Sequence, residues 1–238
     1  MYSVNVDKLV KTSETQAESL LEITDNIIEG LGNHKAFAVL GGKVDTFKIA
    51  YNIMEKSYSN KGKLLIAGNG GSAADAEHIV GELMKGFENP RKLDKDYIKR
   101  MEAIDIEMGR VLGDNLQGGL PAIALDGHLS LSTAYMNDCE PLLCFAQQVN
   151  GFGKENDVFL AISTSGNSKN ILYAATVAKA KGMKVIGLTG VNDSKLSDMA
   201  DVTIRSSEKR TYMIQEHHLP IYHCLCLMLE EKFFGGNN

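Results

Sequence analysis

No stretch of this chain approaches the roughly 20 consecutive apolar residues that a membrane-spanning helix needs, so no membrane partner is expected. The first residues read Met-Tyr-Ser-Val-Asn-Val-Asp-Lys, with no basic segment leading into an apolar core. No secretory signal is therefore expected. Positive charge is not in excess: the net charge is −5, with acids and bases interspersed. That argues against a nucleic-acid partner, which usually meets a basic patch. The four cysteines, Cys139, Cys144, Cys224 and Cys226, form no C-x-x-C pair and are expected to be reduced, partly buried thiols. There is no G-x-x-x-x-G-K-[ST] loop, no G-x-S-x-G elbow, no internal repeat and no low-complexity tract. The expectation is a cytoplasmic protein.

What remains is 238 residues, 44% of them hydrophobic, enough for one large domain or one domain with an appendage. Residues 3–31 carry Leu20, Leu21, Ile27, Ile28 and Leu31 on one helical stripe, stopped by Gly32-Asn33. Val44 to Tyr58 presents Phe47, Ile49, Ala50, Ile53 and Met54 as a second apolar face. These two helices precede any strand, so residues 1–60 read as an N-terminal helical region ahead of a domain at 61–238.

From Lys63 the rhythm changes. Short apolar runs at 64–67, 121–125, 157–162 and 183–188 each end in a small-residue or polar loop. Val202 to Arg205 is a fifth, more polar run, expected at a sheet edge. Helical stretches at 72–86, 139–149 and 168–181 lie between them. This alternation predicts an α/β fold, a parallel sheet covered by helices on both faces. Ligands of such sheets bind beyond the carboxyl ends of the strands. Residues 88–119 interrupt the pattern: Ile98, Met101, Ile104, Met108, Val111 and Leu112 predict an inserted helical flap across Tyr97 to Leu116.

Two loops stand at strand ends and open helices. Ser163-Thr164-Ser165-Gly166-Asn167-Ser168 offers four hydroxyls where a helix start presents free N–H groups, a pattern suited to phosphate. A plain serine cap is the simpler alternative. Gly68-Asn69-Gly70-Gly71-Ser72-Ala73 matches G-x-G-x-x-A, but a dinucleotide site needs a second strand and an acid about 20 residues on. Glu88-Asn89-Pro90-Arg91-Lys92 stands there instead, so no nucleotide cofactor is expected. Gly70 and Gly71 then read as positions of close backbone approach to a ligand, with Asn69 and Ser72 as side-chain partners, or as a simple strand-to-helix turn.

His78 and Glu82 are spaced to share one helix face. Such a pair serves equally as an exposed ion pair. The C-terminal segment gathers Gln215-Glu216-His217-His218 and His223 ahead of an apolar stretch from Cys224 to Leu229. Buried polar groups there need partners, structural or chemical.

Taken together, the blocks Ala67 to His78 with Glu82, Ala161 to Ser168 with Gly182 to Gly190, and Ile214-Gln215-Glu216 with His223 resemble the phosphoheptose isomerases, over residues 40–87 and 120–232. The resemblance implies a five-stranded flavodoxin-like SIS fold at 61–238, assembled as a homotetramer. It implies interconversion of sedoheptulose 7-phosphate and D-glycero-D-manno-heptose 7-phosphate through an enediol. It makes His78, Glu82, Gln215 and His223 a metal-binding quartet, usually for zinc, and Glu82 and His223 an acid/base pair. It makes Asn69, Ser72, Asp126, Ser163, Thr164, Ser165 and Ser168 substrate contacts, joined by Gly70, Gly71 and Gln215. A non-catalytic SIS regulator or adaptor, or an isomerase for another sugar phosphate, is the alternative.

The sequence departs from the family in three places. Gly86 stands where relatives carry arginine, with Lys85 and Arg91 as candidate substitutes. The stretch at 88–119 is much longer than the family's link. Pro220 falls between Gln215 and His223, and on a straight helix Glu216, rather than Gln215, aligns with His223.

Overall fold

The computed structural model describes residues 44–235; the predicted helix at 3–31 lies outside them. Helix α1 (Val44–Ser59) buries Phe47, Ala50, Tyr51 and Met54, whereas Ile49 of the predicted face is 48% exposed. Strand β1 (Leu64–Ala67) is wholly buried and leads into α2 (Gly71–Met84). Next come α3 (Lys95–Ile104), α4 (Ile106–Asn115) and β2 (Ala122–Ala124), which passes through a 3-10 turn (Leu125–Gly127) into α5 (Leu129–Asp138). A second 3-10 turn precedes α6 (Cys144–Phe152), followed by β3 (Val158–Ile162), α7 (Lys169–Ala180) and β4 (Lys184–Thr189). The short α8 (Lys195–Met199), β5 (Val202–Arg205) and α9 (Thr211–Phe234) complete the chain.

The five strands form one parallel sheet in the order β2-β1-β3-β4-β5. Strand residues alternate between its faces. Leu65, Phe159 and Val185 join Val149, Ile171, Ala174, Ala175, Ala178 and Leu196 in one core layer. Leu64, Ile66, Leu160 and Ile186, equally buried, point to the other face, where α1, α2 and α9 pack. The edge strand β5 alternates buried and half-buried residues, as its polar composition predicts.

The insertion is two helices rather than one. Asp105, at φ −151 and ψ 122, ends α3 and its carboxylate accepts from Met108 N at 2.8 Å, capping α4. An aspartate between two helical stretches is a favoured N-cap, and that signal competes with the 3–4 spacing that predicts continuity. The hairpin leaves Ile104, Ile106, Met108 and Val111 more than half exposed. The sequence pattern predicts no helix at α5, because Leu129–Asp138 has almost no apolar face and no buried residue. Helix α9 runs through Pro220 without interruption. Proline leaves the Glu216 carbonyl without its helical donor, and Glu216 is exposed, so water can satisfy it.

At the base of the insertion lies a buried ion pair. Arg91 Nε meets Glu230 Oε1 of α9 at 2.8 Å, with both side chains at 1% exposure or less. Its other nitrogens donate to the carbonyls of Leu83 (2.6 Å) and Glu82 (2.8 Å), and its guanidinium stacks on Phe234. Glu230 also accepts from the backbone N–H groups of Phe87, Glu88 and Asn89. Arg91 therefore does not replace the family's arginine as a sugar contact. Burial raises the Glu230 carboxyl, but donation from Glu88, Phe87, Arg91 and Asn89 outweighs it and holds the group below 4.5.

Because its folded-state pKa is depressed, Glu230 stabilises the fold above the unfolded value and loses that contribution as pH falls through the lower folded one. Glu230→Gln is expected to cost about 3–5 kcal/mol at neutral pH, since it strands a buried guanidinium. The variant's urea midpoint should also fall less steeply than the wild type's below pH 4.5. Equal midpoints for the two proteins at pH 7 would contradict this.

Candidate functional site

Both predicted ligand loops sit at the carboxyl end of the sheet. Gly70 and Gly166 adopt φ +58 and +64, backbone that glycine takes without strain. The two loops are tied together by the amides of Asn69 and Asn170, which exchange hydrogen bonds of 3.1 and 2.8 Å. Sequence reasoning missed Asn170, which carries no motif of its own.

Ser168 precedes α7, yet its side chain caps no backbone N–H of that helix. It accepts instead from Ser163 Oγ at 3.2 Å. The simple cap is thus not what this serine provides. Ser165 is exposed and Thr164 half-buried, whereas Ser163 and Ser72 are buried. Thr164, Ser165 and Asn167 line a cavity of about 300 Å³ whose far wall includes Gly190, Lys209 and Thr211. Lys209 and Thr211 were also missed; a lysine just before a helix that starts at a strand end was the available signal.

Helices α2 and α9 pack side by side and bring His78, Glu82 and His223 together, with one donor atom from each lying within 4.8 Å of the others. His78 Nε2 is 3.0 Å from Glu82 Oε1. The His78 and His223 rings meet edge to face, with centroids 5.0 Å apart, and Phe87 closes over His223 at 5.4 Å. Gln215 lies at the other end of α2: a methyl group on Gly71 would meet its amide nitrogen at 2.7 Å. Glu216 is exposed and takes no part in the cluster, so the straight-helix alternative fails. The adjacent histidines bond away from the cluster. His217 Nδ1 pairs with Ser206 Oγ at 3.0 Å. His218 is fully buried on Thr189 O, and burial lowers its pKa to about 4.

Carboxylate oxygens around the site lack protein partners. Glu82 Oε2, Asp75 Oδ2 and Asp126 Oδ1 are buried without a hydrogen bond. Burial pushes Asp126 up to about 6, with the charge of Glu77 adding to the rise. Burial likewise pushes Asp75 up to about 6, against a hydrogen bond from Tyr222 that lowers it. Two imidazoles and a carboxylate with an orphaned oxygen suit zinc. A tetrahedral ion at about 2.1 Å holds its donors about 3.4 Å apart, so small side-chain adjustments would close this cluster on a metal. Buried Cys224, its pKa pushed up to about 12 by burial, is an inert thiol.

The chain is 39% identical to a phosphoheptose isomerase of Aneurinibacillus thermoaerophilus, over 74% of this chain and 76% of that protein. It belongs to the phosphoheptose isomerase family. A family member from Leptospira biflexa is 36% identical over 83% of this chain and 89% of that protein. The SIS domain pattern matches residues 116–190. The structure resembles the phosphoheptose isomerase of Francisella tularensis at 30% identity, covering 96% of this chain and all of that one, with a TM-score of 0.65. The Neisseria gonorrhoeae phosphoheptose isomerase gives a TM-score of 0.63 at 28% identity, covering 94% and 99%. Family membership and the parallel five-stranded fold agree with the sequence reading.

If the hydroxyl loop binds phosphate, Ser165→Ala should weaken sugar-phosphate affinity about tenfold, one charge-assisted hydrogen bond, while leaving the melting temperature unchanged. Calorimetric titration reads the change; unaltered affinity would remove Ser165 from the site.

Proposed function

We propose that this chain is an aldose–ketose isomerase that interconverts sedoheptulose 7-phosphate and D-glycero-D-manno-heptose 7-phosphate. The observation that carries the reading is the meeting of Glu82 and His223, from two separate helices, near the hydroxyl-rich loops of a family member. Seven residues of α2, about 10 Å of helix, separate Gly71 at the loop from His78. A seven-carbon chain with a terminal phosphate can span such a gap.

In this reading Ser163, Thr164, Ser165 and Ser168 hold the phosphate, and Lys209 adds a cation. Asn69, Gly70, Gly71, Ser72, Asp126 and Gln215 contact the sugar. One carrier of the Glu82–His223 pair removes a proton from C1 of the ketose, giving the enediol, and returns it to C2. The other moves the hydroxyl proton from O1 to O2. His78, Glu82 and His223 would hold zinc; Gln215, expected as a fourth ligand, lies instead against Gly71 at the opposite end of α2 and is a sugar contact only. The chemistry a bound zinc ion supplies is Lewis acidity toward the carbonyl oxygen.

The proposal includes a cytoplasmic homotetramer. No described helix is long and apolar enough to cross a membrane. The exposed Ile104, Ile106, Met108 and Val111 of the insertion and Leu129 of α5 are apolar surface of the kind that subunits bury. Light scattering at micromolar concentration should give four times the chain mass; a monomer would contradict this.

Purified protein with zinc should convert sedoheptulose 7-phosphate to the aldose. Glu82→Gln and His223→Ala should each lower kcat by about 10²–10⁴, the range of positioned proton transfer, while sugar-phosphate binding persists. A folded His223→Ala protein with near-wild-type turnover would overturn the assignment. Because Gly86 stands where relatives carry arginine, a panel of ketose phosphates belongs in the same assay. Turnover of another member but not the heptulose would move the substrate and keep the reaction class.

A further inference from the structure

Reading His78, Glu82 and His223 as a cation centre raises the question of what orients His78. Its Nδ1 lies 2.9 Å from the Tyr222 hydroxyl, and that hydroxyl lies 3.3 Å from Asp75 Oδ1. The two rings meet edge to face, with centroids 5.5 Å apart. Tyr222 is 1% exposed, so packing holds its ring in place. A phenol carries a single proton and cannot donate to both neighbours.

A cation on Nε2 resolves the choice. A neutral imidazole with Nε2 engaged carries its proton on Nδ1. Nδ1–H then donates to the phenol oxygen, and the phenol proton goes to Asp75. His78 then donates once to Tyr222, Tyr222 donates once to Asp75, and the carboxylate only accepts. A metal-ligating histidine is commonly steered this way by an acceptor on its other nitrogen, and loss of that acceptor typically costs 10–100-fold in metal affinity. Here the acceptor is a tyrosine backed by a carboxylate, and it is adjacent in sequence to another proposed ligand, His223. Helix α9 thus supplies both a ligand and the group that aims its counterpart on α2.

We propose that Tyr222, held by Asp75, is a positioning residue that keeps His78 in the Nδ1–H form and presents its Nε2 to a divalent cation shared with Glu82 and His223. The inference rests on the cation reading of that cluster.

The test is zinc affinity of the full chain, measured by competition with a chromophoric chelator at one pH, for wild type, Tyr222→Phe, Asp75→Asn and the double variant. Tyr222→Phe should bind zinc about 10–100-fold more weakly, with melting unchanged. Asp75→Asn should weaken binding on its own, yet add less than about threefold in the Tyr222→Phe background, because the line is already cut. A purely structural role would not produce that loss of additivity. If Tyr222→Phe does not fold, Asp75→Asn alone carries the test, and zinc affinity equal to wild type overturns the proposal. A wild type that binds zinc while Tyr222→Phe matches it within about threefold, or fully additive effects, overturns the role of Tyr222 and leaves the centre standing. A wild type that binds no zinc overturns the centre and this proposal with it.

Discussion

The apposition of α2 and α9 is the constraint on which the rest of the site depends. The buried Arg91–Glu230 pair holds it. Arg91 donates to the carbonyls of Glu82 and Leu83 at the end of α2, and Glu230 stands seven residues after His223 on α9. The backbone of one proposed catalytic residue and the helix of the other are therefore joined through one guanidinium. A buried pair of this kind contributes little net stability unless its remaining hydrogen-bonding capacity is used. Here Glu230 accepts four donors, Arg91 Nε and three backbone N–H groups. The pair also closes the neck of the insertion, with Gly118 N donating to Arg91 O, so a long hairpin leaves the base of the site in register.

Around that apposition the protein keeps polar groups short of partners. Glu82 Oε2, Asp75 Oδ2 and Asp126 Oδ1 are buried without hydrogen bonds. Each such group costs roughly 1–3 kcal/mol when nothing replaces water. Asp75 in the first turns of α2 and Asp126 just after β2 lie toward the carboxyl end of the sheet, and Glu82, two turns further along α2, faces His78 and His223; unmet acceptors of this kind suit a polar ligand and a cation. His217 bonds Ser206 and His218 bonds Thr189 O through Nε2 alone, its Nδ1 being buried without a partner; burial keeps His218 neutral at physiological pH.

The strand–loop–helix rhythm and the two loops at the carboxyl ends of β1 and β3 were legible in the sequence because they depend on local signals: apolar runs, glycines at strand ends, hydroxyls at a helix start. His78 and Glu82 were legible for the same reason, being one helical turn apart. The edge position of β5 followed from its polarity. The hairpin at Asp105 was missed because one capping aspartate was outweighed by a longer apolar spacing, and α5 because an exposed helix leaves no periodic trace.

Only the tertiary structure decided the rest. Which of the clustered histidines serves the site depends on which faces α2, and sequence spacing cannot show how two helices face each other. Arg91 looked like a free cation and is instead wholly engaged, because its partner lies 139 residues away. Pro220 left it open whether Gln215 or Glu216 shares a face with His223; α9 passes through the proline with Glu216 turned to solvent. Local chemistry determined which residues were candidates. Long-range packing determined which of them meet, since distant side chains come together only where the core brings their helices side by side.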